Sequence, residues 1–214
     1  MKEHKENAVI SKATIDRLPL YYRYLKLSQE EGIEIISSDE LGRKIGVTPE
    51  QIRKDLSAFG EFGKKGVGYY VRELTRNIGE ILGLNRQWNI AIAGVGHLGW
   101  ALANYANFSP QGFQLQAIFD IDPDKIGRYI NEIEIFHIAR IPEIIAARNI
   151  QIGIVTVPAE YAQDITTSYV EAGIKGIWNF APIKLEVPTT VHVVSEDLSI
   201  GLSSMSYYLS RQLY

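Results

Sequence analysis

The chain is 214 residues long, 46% apolar and 22% charged, the composition of an ordinary globular protein rather than a disordered or fibrous one. It contains no cysteine, which excludes disulfide frameworks, thiolate zinc sites, iron–sulfur clusters and cysteine nucleophiles, so any redox sense must come from a bound molecule. The net charge of −3 is unevenly spread: residues 1–85 carry 14 basic against 13 acidic residues, residues 86–214 carry 8 against 12, and residues 41–65 carry six against three, a local basic patch on an acidic chain.

Residues 1–10 are polar and read as a frayed tail. Their lack of an apolar signal core, and the lack of any apolar run of about 18 residues, point to a cytoplasmic protein with no membrane span. The segment ATIDRLPLYYRYLKLSQEEG reads as a helix kinked or restarted at Pro19, which lacks a backbone donor. Ser37-Ser38-Asp39-Glu40 has capping-box spacing and opens a helix through Leu41 and Ile45 that stops at Gly46. Thr48-Pro49-Glu50-Gln51 repeats the device, with Thr48 as N-cap, Pro49 as first helical residue and Gln51 as reciprocal cap, and starts a second helix through Ile52, Leu56 and Phe59. Glycines 63, 66 and 68 around Lys64 and Lys65, followed by Tyr69-Tyr70-Val71, read as a β-hairpin or wing. A helix then runs to Gly83. From residue 89, apolar strand-like runs alternate with helical segments, which implies βαβ units and a mainly parallel sheet. Strands are predicted near 89–93, 114–119, 133–137, 151–157, 174–180 and 190–194.

The most specific local motif is Gly94-Val95-Gly96-His97-Leu98-Gly99, placed between the apolar run NIAIA and the helical WALANYANF. In a strand–turn–helix context these glycines allow a tight turn, close approach to a pyrophosphate and close helix–strand packing. A second predicted strand ends at Asp120, 21 residues beyond Gly99, where an acidic side chain would bond the adenine ribose and favour NAD over NADP; its alternative reading is a turn residue at a strand end. Two further strand ends, Thr156-Val157-Pro158 and Asn179-Phe180-Ala181, should line the same crevice. Phe180 either packs against a nicotinamide or fills the core, and the residues alone do not choose.

None of His4, His97, His137 and His192 sits in an acid–base constellation, and His97 is better placed beside phosphate than as a base. Residues 87 to about 197 suffice only for the sheet and its helices, leaving no substrate domain. No catalytic residues and no metal site are therefore assigned, and a nucleotide site without catalytic equipment suggests sensing. The alternatives are a small NAD-dependent oxidoreductase with an N-terminal interaction domain, or a non-enzymatic assembly subunit.

In a helix-turn-helix the second helix enters the major groove. Its polar residues here are Gln51, Arg53, Lys54 and Ser57: Arg53 and Lys54 suit guanine or phosphate, and Gln51 suits adenine. Lys64 and Lys65 on the wing would meet phosphate or the minor groove. Near the C-terminus, Leu198, Leu202, Met205 and Leu209 form one apolar helix stripe that must be buried somewhere.

The segments ATIDRLPLYYRYL, VTPEQIRKDLSAFGEFGKKGVGY, GVGHLG, FDIDPDKIG, TVPA, AGIKGIWNFAP and SMSYYL span nearly the whole chain, and through them it resembles the Rex family of redox-sensing transcriptional repressors. The resemblance implies an α/β protein: a winged helix-turn-helix domain (1–85), a Rossmann-type NAD(H)-binding domain (86–197) and a C-terminal helix (198–214) exchanged into the partner subunit between its two domains. It further implies a homodimer that holds double-stranded palindromic operator DNA when NADH is scarce and releases it when NADH, the regulatory ligand, binds and the subunits close. NAD⁺ competes for the same site and permits DNA binding. By the same resemblance Arg23, Tyr105 and Asp197 match a polar network coupling cofactor state to domain arrangement; residues alone would make them a surface charge, a core aromatic and a helix cap.

Overall fold

The computed structural model describes residues 10–64 and 66–212. The predicted polar tail with His4, and Lys65 of the wing, lie outside the described residues. The chain forms two compact units that divide between Arg86 and Gln87, and the second includes the C-terminal helix.

The first unit opens with α1 (Lys12–Glu30), capped by the Ser11 hydroxyl, which accepts from the Thr14 amide. The helix runs through Pro19 without the expected restart. Pro19 deprives only the Ile15 carbonyl of a partner, and both residues are exposed, so water can satisfy it. On the opposite side Leu18, Tyr21 and Leu25 are buried in one core, which anchors the helix on both sides of Pro19. Next come β1 (Ile35–Ile36), α2 (Ser38–Ile45) and α3 (Pro49–Ser57). The Ser37–Glu40 capping box forms as predicted, and Gly46 closes α2 at φ 70°. Thr48 caps α3 through the Gln51 amide, with Pro49 in the first turn. The reciprocal half predicted for the Gln51 side chain does not form, because that amide donates to Asp55 instead. The wing is the hairpin of β2 (Gly63–Lys64) and β3 (Gly68–Tyr70), and α4 (Val71–Ile81) follows. Strand β1, which no local pattern predicts, pairs antiparallel with β3 to make a three-stranded sheet in the order β1-β3-β2.

The second unit contains β4 (Trp88–Ala93), α5 (His97–Ala103), β5 (Phe113–Asp120), β6 (Tyr129–Ile130), β7 (Ile133–His137), α6 (Ile141–Ala147), β8 (Ile152–Val155), α7 (Ala159–Glu171), β9 (Gly176–Asn179), β10 (His192–Ser195) and α8 (Leu198–Gln212). The sheet order is β10-β9-β8-β4-β5-β7-β6, parallel throughout except for β6. Ranked along the chain, its six parallel strands stand in the doubly wound order, which reverses direction between β4 and β8. In β4, Ile90 and Ile92 pack into the core on one face while Ala91 and Ala93 pack into the other, which is why NIAIA reads as a continuous apolar run instead of an alternating one. The unpredicted β6 fills the β5–β7 connection where a helix would otherwise cross, and no helix separates β9 from β10. Along α8, Leu198, Leu202, Met205 and Leu209 are each more than half exposed within this chain.

Candidate functional site

A cleft of about 540 Å³ opens where the strand order reverses. Of the predicted residues, Gly94, Val95, Gly96, Asp120, Thr156, Val157 and Pro158 line it, joined by Ile121, Lys125, Ile138, Tyr161, Asp164 and Ile165, which sequence reasoning missed. His97 is exposed at the start of α5, whose first turn also holds Leu98 and Gly99.

Two glycines make this loop possible. Gly94 sits at φ 94° with the Thr156 backbone and the Val157 side chain against it, so a Cβ there would be both strained and crowded. A Cβ at Gly99 would run into the Gly94 carbonyl and come within 2.8 Å of the Thr156 hydroxyl. Gly96, by contrast, faces open space, as a position beside a ligand should.

The polar side chains around the loop mostly hold the loop itself. The Thr156 hydroxyl donates to the carbonyls of Ala93 (2.9 Å) and Gly94 (2.8 Å) and staples the turn to the end of β8. Asp120, only 7% exposed, accepts from the Val95 amide at 2.7 Å through one oxygen and from the Ile121 and Asp122 amides at 2.8 and 2.9 Å through the other. Lys125 lies 3.6 Å from Asp120 and 3.2 Å from Asp122. Burial disfavours the lysine's charge, yet these two carboxylates hold its pKa above the ordinary value. The strand-end acid therefore anchors the glycine loop to β5 with most of its lone pairs engaged.

Asn179, Phe180 and Ala181 are expected to line the crevice; they stand at the end of β9 and in the turn after it, and are not among the residues that line the cleft described above. Asn179 is fully buried: its amide nitrogen donates to the carbonyls of Ala181 and Ile183 and to Ser195, and its oxygen accepts from the Ala181 amide, so it shapes the turn after β9. Ala181 belongs to the core, and Phe180 packs on Trp178 at 4.6 Å beside the second core cluster.

In the first unit, Ile52, Asp55 and Leu56 face inward on α3, and Arg53, Lys54 and Ser57 are exposed. Arg53 donates to Ser38 at 2.6 Å and to Glu50 at 3.0 Å, while Lys54 has no ion pair among the described residues. Ser57 donates to the Lys54 carbonyl. Gln51 is half-buried and turned towards Asp55. On the wing, the Lys64 ammonium lies 5.1 Å from the centre of the Tyr70 ring. A groove of about 610 Å³ between α3 and the wing is lined by Arg53, Ser57, Lys64 and their neighbours.

Asp55 was not singled out from the sequence, although a carboxylate falling within the apolar side of an amphipathic helix is a legible signal. Its side chain has no exposure and takes hydrogen bonds from Thr14, Arg17, Tyr21 and Gln51. Burial alone would raise its pKa, but those bonds prevail and hold the carboxyl below the usual carboxylate range. Of the three residues assigned to coupling, Arg23 is exposed on α1, Tyr105 is half exposed, packed edge-on against Phe108, and Asp197 caps α8 by accepting from the Ser199 amide and hydroxyl.

A winged helix with an outward-facing second helix, carried on the same chain as a doubly wound sheet with a glycine-loop cleft, defines a nucleotide-responsive DNA-binding regulator. Residues 9–57 match the family described as "Putative DNA-binding protein N-terminus", and residues 85–183 match the CoA binding domain family. Curated relatives named redox-sensing transcriptional repressor Rex include one from Syntrophobacter fumaroxidans, 47% identical over 95% of this chain and 97% of its own length. Another, from Chloroflexus aurantiacus, is 48% identical over 92% of this chain and 93% of its own. The chain belongs to the Rex family of redox-sensing transcriptional repressors. Among solved structures, the repressor RSP in complex with beta-NAD⁺ and operator DNA superposes with a TM-score of 0.91 at 44% identity, covering 96% of this chain and 94% of that one. RSP in complex with beta-NADH gives 0.87 at 43% identity, covering 96% of each. These relatives are regulators rather than enzymes, and the oxidoreductase alternative is set aside.

Proposed function

We propose that this chain is a cytoplasmic transcriptional repressor that binds palindromic operator DNA as a homodimer and releases it when NADH occupies the cleft. The observation that carries the reading is the presence, on one chain, of a winged helix with an exposed basic helix face and a dinucleotide cleft at the sheet's switch point. In this reading the backbone of Gly94, Val95, Gly96, His97, Leu98 and Gly99 receives the pyrophosphate, with Thr156, Val157 and Pro158 forming the opposite wall. Asp120 contributes by holding Val95 in place and by opposing a 2′-phosphate with its charge. Arg53, Lys54, Ser57, Lys64 and Lys65 meet the DNA, with Gln51 at the edge of that surface. No helix among the described residues is long and apolar enough to cross a membrane. The exposed stripe of α8 is buried against a partner subunit, and Arg23, Tyr105 and Asp197 couple cofactor state to domain arrangement.

The mechanism is a two-state equilibrium. NADH must bind the DNA-incompetent form more tightly, since a ligand with equal affinity for both forms shifts nothing. A coupling of about 1–3 kcal/mol weakens operator binding roughly 5- to 150-fold and weakens NADH binding on DNA by the same factor. Fluorescence anisotropy on a palindromic duplex, with NAD⁺, NADH, NADPH or no ligand at stated salt, tests the reading. Release by NADH alone is expected, and indifference of the complex to NADH defeats it.

Two substitutions separate the parts. Lys54→Ala should weaken operator binding about 10-fold or more, because Lys54 is exposed on the outer face of α3 and has no ion pair among the described residues, while leaving NADH affinity unchanged. Operator binding at wild-type strength would remove Lys54 from the interface. Asp120→Ala frees the Val95 amide from its anchor and should leave operator binding intact while blunting its relief by NADH. Undiminished relief would dismiss Asp120 from the site.

A further inference from the structure

Five hydrogen bonds converge on the buried carboxylate of Asp55. Oδ2 accepts from Arg17 Nε at 2.6 Å and from the Tyr21 hydroxyl at 2.6 Å. Oδ1 accepts from an Arg17 terminal nitrogen at 2.7 Å, the Thr14 hydroxyl at 3.0 Å and Gln51 Nε2 at 2.8 Å. A carboxylate offers about four lone-pair sites, and the three α1 residues already fill that number. The bond from Gln51 is surplus to satisfying the charge; what it changes is Gln51. An ionised carboxylate accepts only, so the end of the Gln51 amide that faces it must be the nitrogen. The carbonyl oxygen is then directed away from Asp55, and it has no hydrogen-bond partner among the described residues. Gln51 stands in the first turn of α3, and early residues of a second helix in this motif face base edges.

We infer that Asp55 is a positioning residue for DNA reading: clamped by Arg17, Tyr21 and Thr14, it fixes the Gln51 amide so that its carbonyl oxygen is presented to a base amino group, adenine N6 or cytosine N4. The inference rests on the DNA-binding reading above. It also gives a buried charge a purpose, since an apolar cluster of similar volume would tie α1 to α3 at least as well. A long side chain held before DNA arrives loses less freedom on binding than a mobile one.

The test compares wild type, Gln51→Met and Asp55→Asn. Duplexes enriched from a randomised pool supply the operator, and dissociation constants are then measured for it and for each single base-pair change at fixed salt, with folding checked by circular dichroism. Wild type should lose on the order of 10-fold when one amino-bearing base in each half-site is replaced. Gln51→Met should lose that discrimination at that position alone. Asp55→Asn should lose it at the same position, because an asparagine can donate as well as accept and no longer dictates the amide's direction. Both should bind random duplexes within about twofold of wild type, since that binding rests on phosphate contacts. An unchanged base profile in Gln51→Met, or a uniform loss across all duplexes in Asp55→Asn, overturns the inference. A reading that needs no change at Asp55 comes from the Gln51 side-chain amide protons of the free protein, identified by their absence in Gln51→Met. Slow hydrogen exchange supports the clamp, and exchange as fast as for an exposed glutamine overturns it. Failure of the wild type to enrich any sequence would bring down the DNA reading itself, whereas enrichment without dependence on Gln51 removes only the positioning role.

Discussion

Gly99→Ala should abolish NADH binding while leaving operator binding in place and deaf to NADH. The added methyl would occupy the position of the Gly94 carbonyl oxygen and press on the Thr156 hydroxyl. Neither neighbour can yield cheaply. Gly94 is stapled to Thr156 by a 2.8 Å bond, and its amide donates to the Phe119 carbonyl at 2.8 Å, so moving it breaks the turn from both sides. The alternative is for α5 to back away, which carries the amides of residues 96–98 out of reach of a diphosphate. Overpacking of this kind costs about 1–3 kcal/mol, which the sheet should survive, but a loop displaced by an ångström no longer cradles its ligand. Calorimetric titration with NADH should show affinity at least 100-fold weaker, with a far-ultraviolet spectrum like wild type. Binding within tenfold of wild type in a folded Gly99→Ala protein would show that the loop does not carry the phosphates.

Arg17→Met should destabilise the N-terminal unit by about 3–5 kcal/mol, because it leaves a carboxylate with no side-chain exposure and no countercharge. The effect has a definite pH signature. In wild type the folded carboxyl of Asp55 lies below its unfolded value of about 3.9, so its contribution is complete above that pH and is lost as the pH falls through the folded value. Without Arg17, burial dominates and the folded carboxyl rises above its unfolded value, so the penalty is greatest near pH 7 and eases as acid neutralises the group. The difference between wild type and variant in urea unfolding should therefore narrow between pH 7 and pH 5. A gap of the same size at both values would mean that the loss comes from packing rather than from charge.

Much of this molecule can be read in its sequence, and what cannot be read has a common cause. The caps at Ser37 and Thr48, the stop at Gly46 and the run from NIAIA into the glycine loop are local, and local chemistry decides them. The two-residue strands β1 and β6 are decided by partners distant along the chain or by the turn between them, so their own side chains carry little signal. The same holds for polar residues near the cleft. Thr156, Asp120 and Asn179 are each marked by their position at a strand end, and each spends most of its hydrogen bonds on backbone groups. Position at a strand end identifies who is near the crevice, but only the accounting of donors and acceptors separates a residue that meets the ligand from one that builds its cradle. Pro19 teaches the opposite lesson: the restart that a strong local rule predicts does not occur where Leu18, Tyr21 and Leu25 are buried together.

The division of labour around α3 bears on how such a regulator changes over time. Ile52, Asp55 and Leu56 are committed to the framework, whereas Glu50, Arg53, Lys54 and Ser57 look outward and none of them enters the core. In the proposed DNA interface, substitutions on that outer face redirect the protein to new promoters without disturbing the fold or the cleft in the second unit. A lineage could thus rewire which genes obey the signal while the metabolic signal itself stays the same.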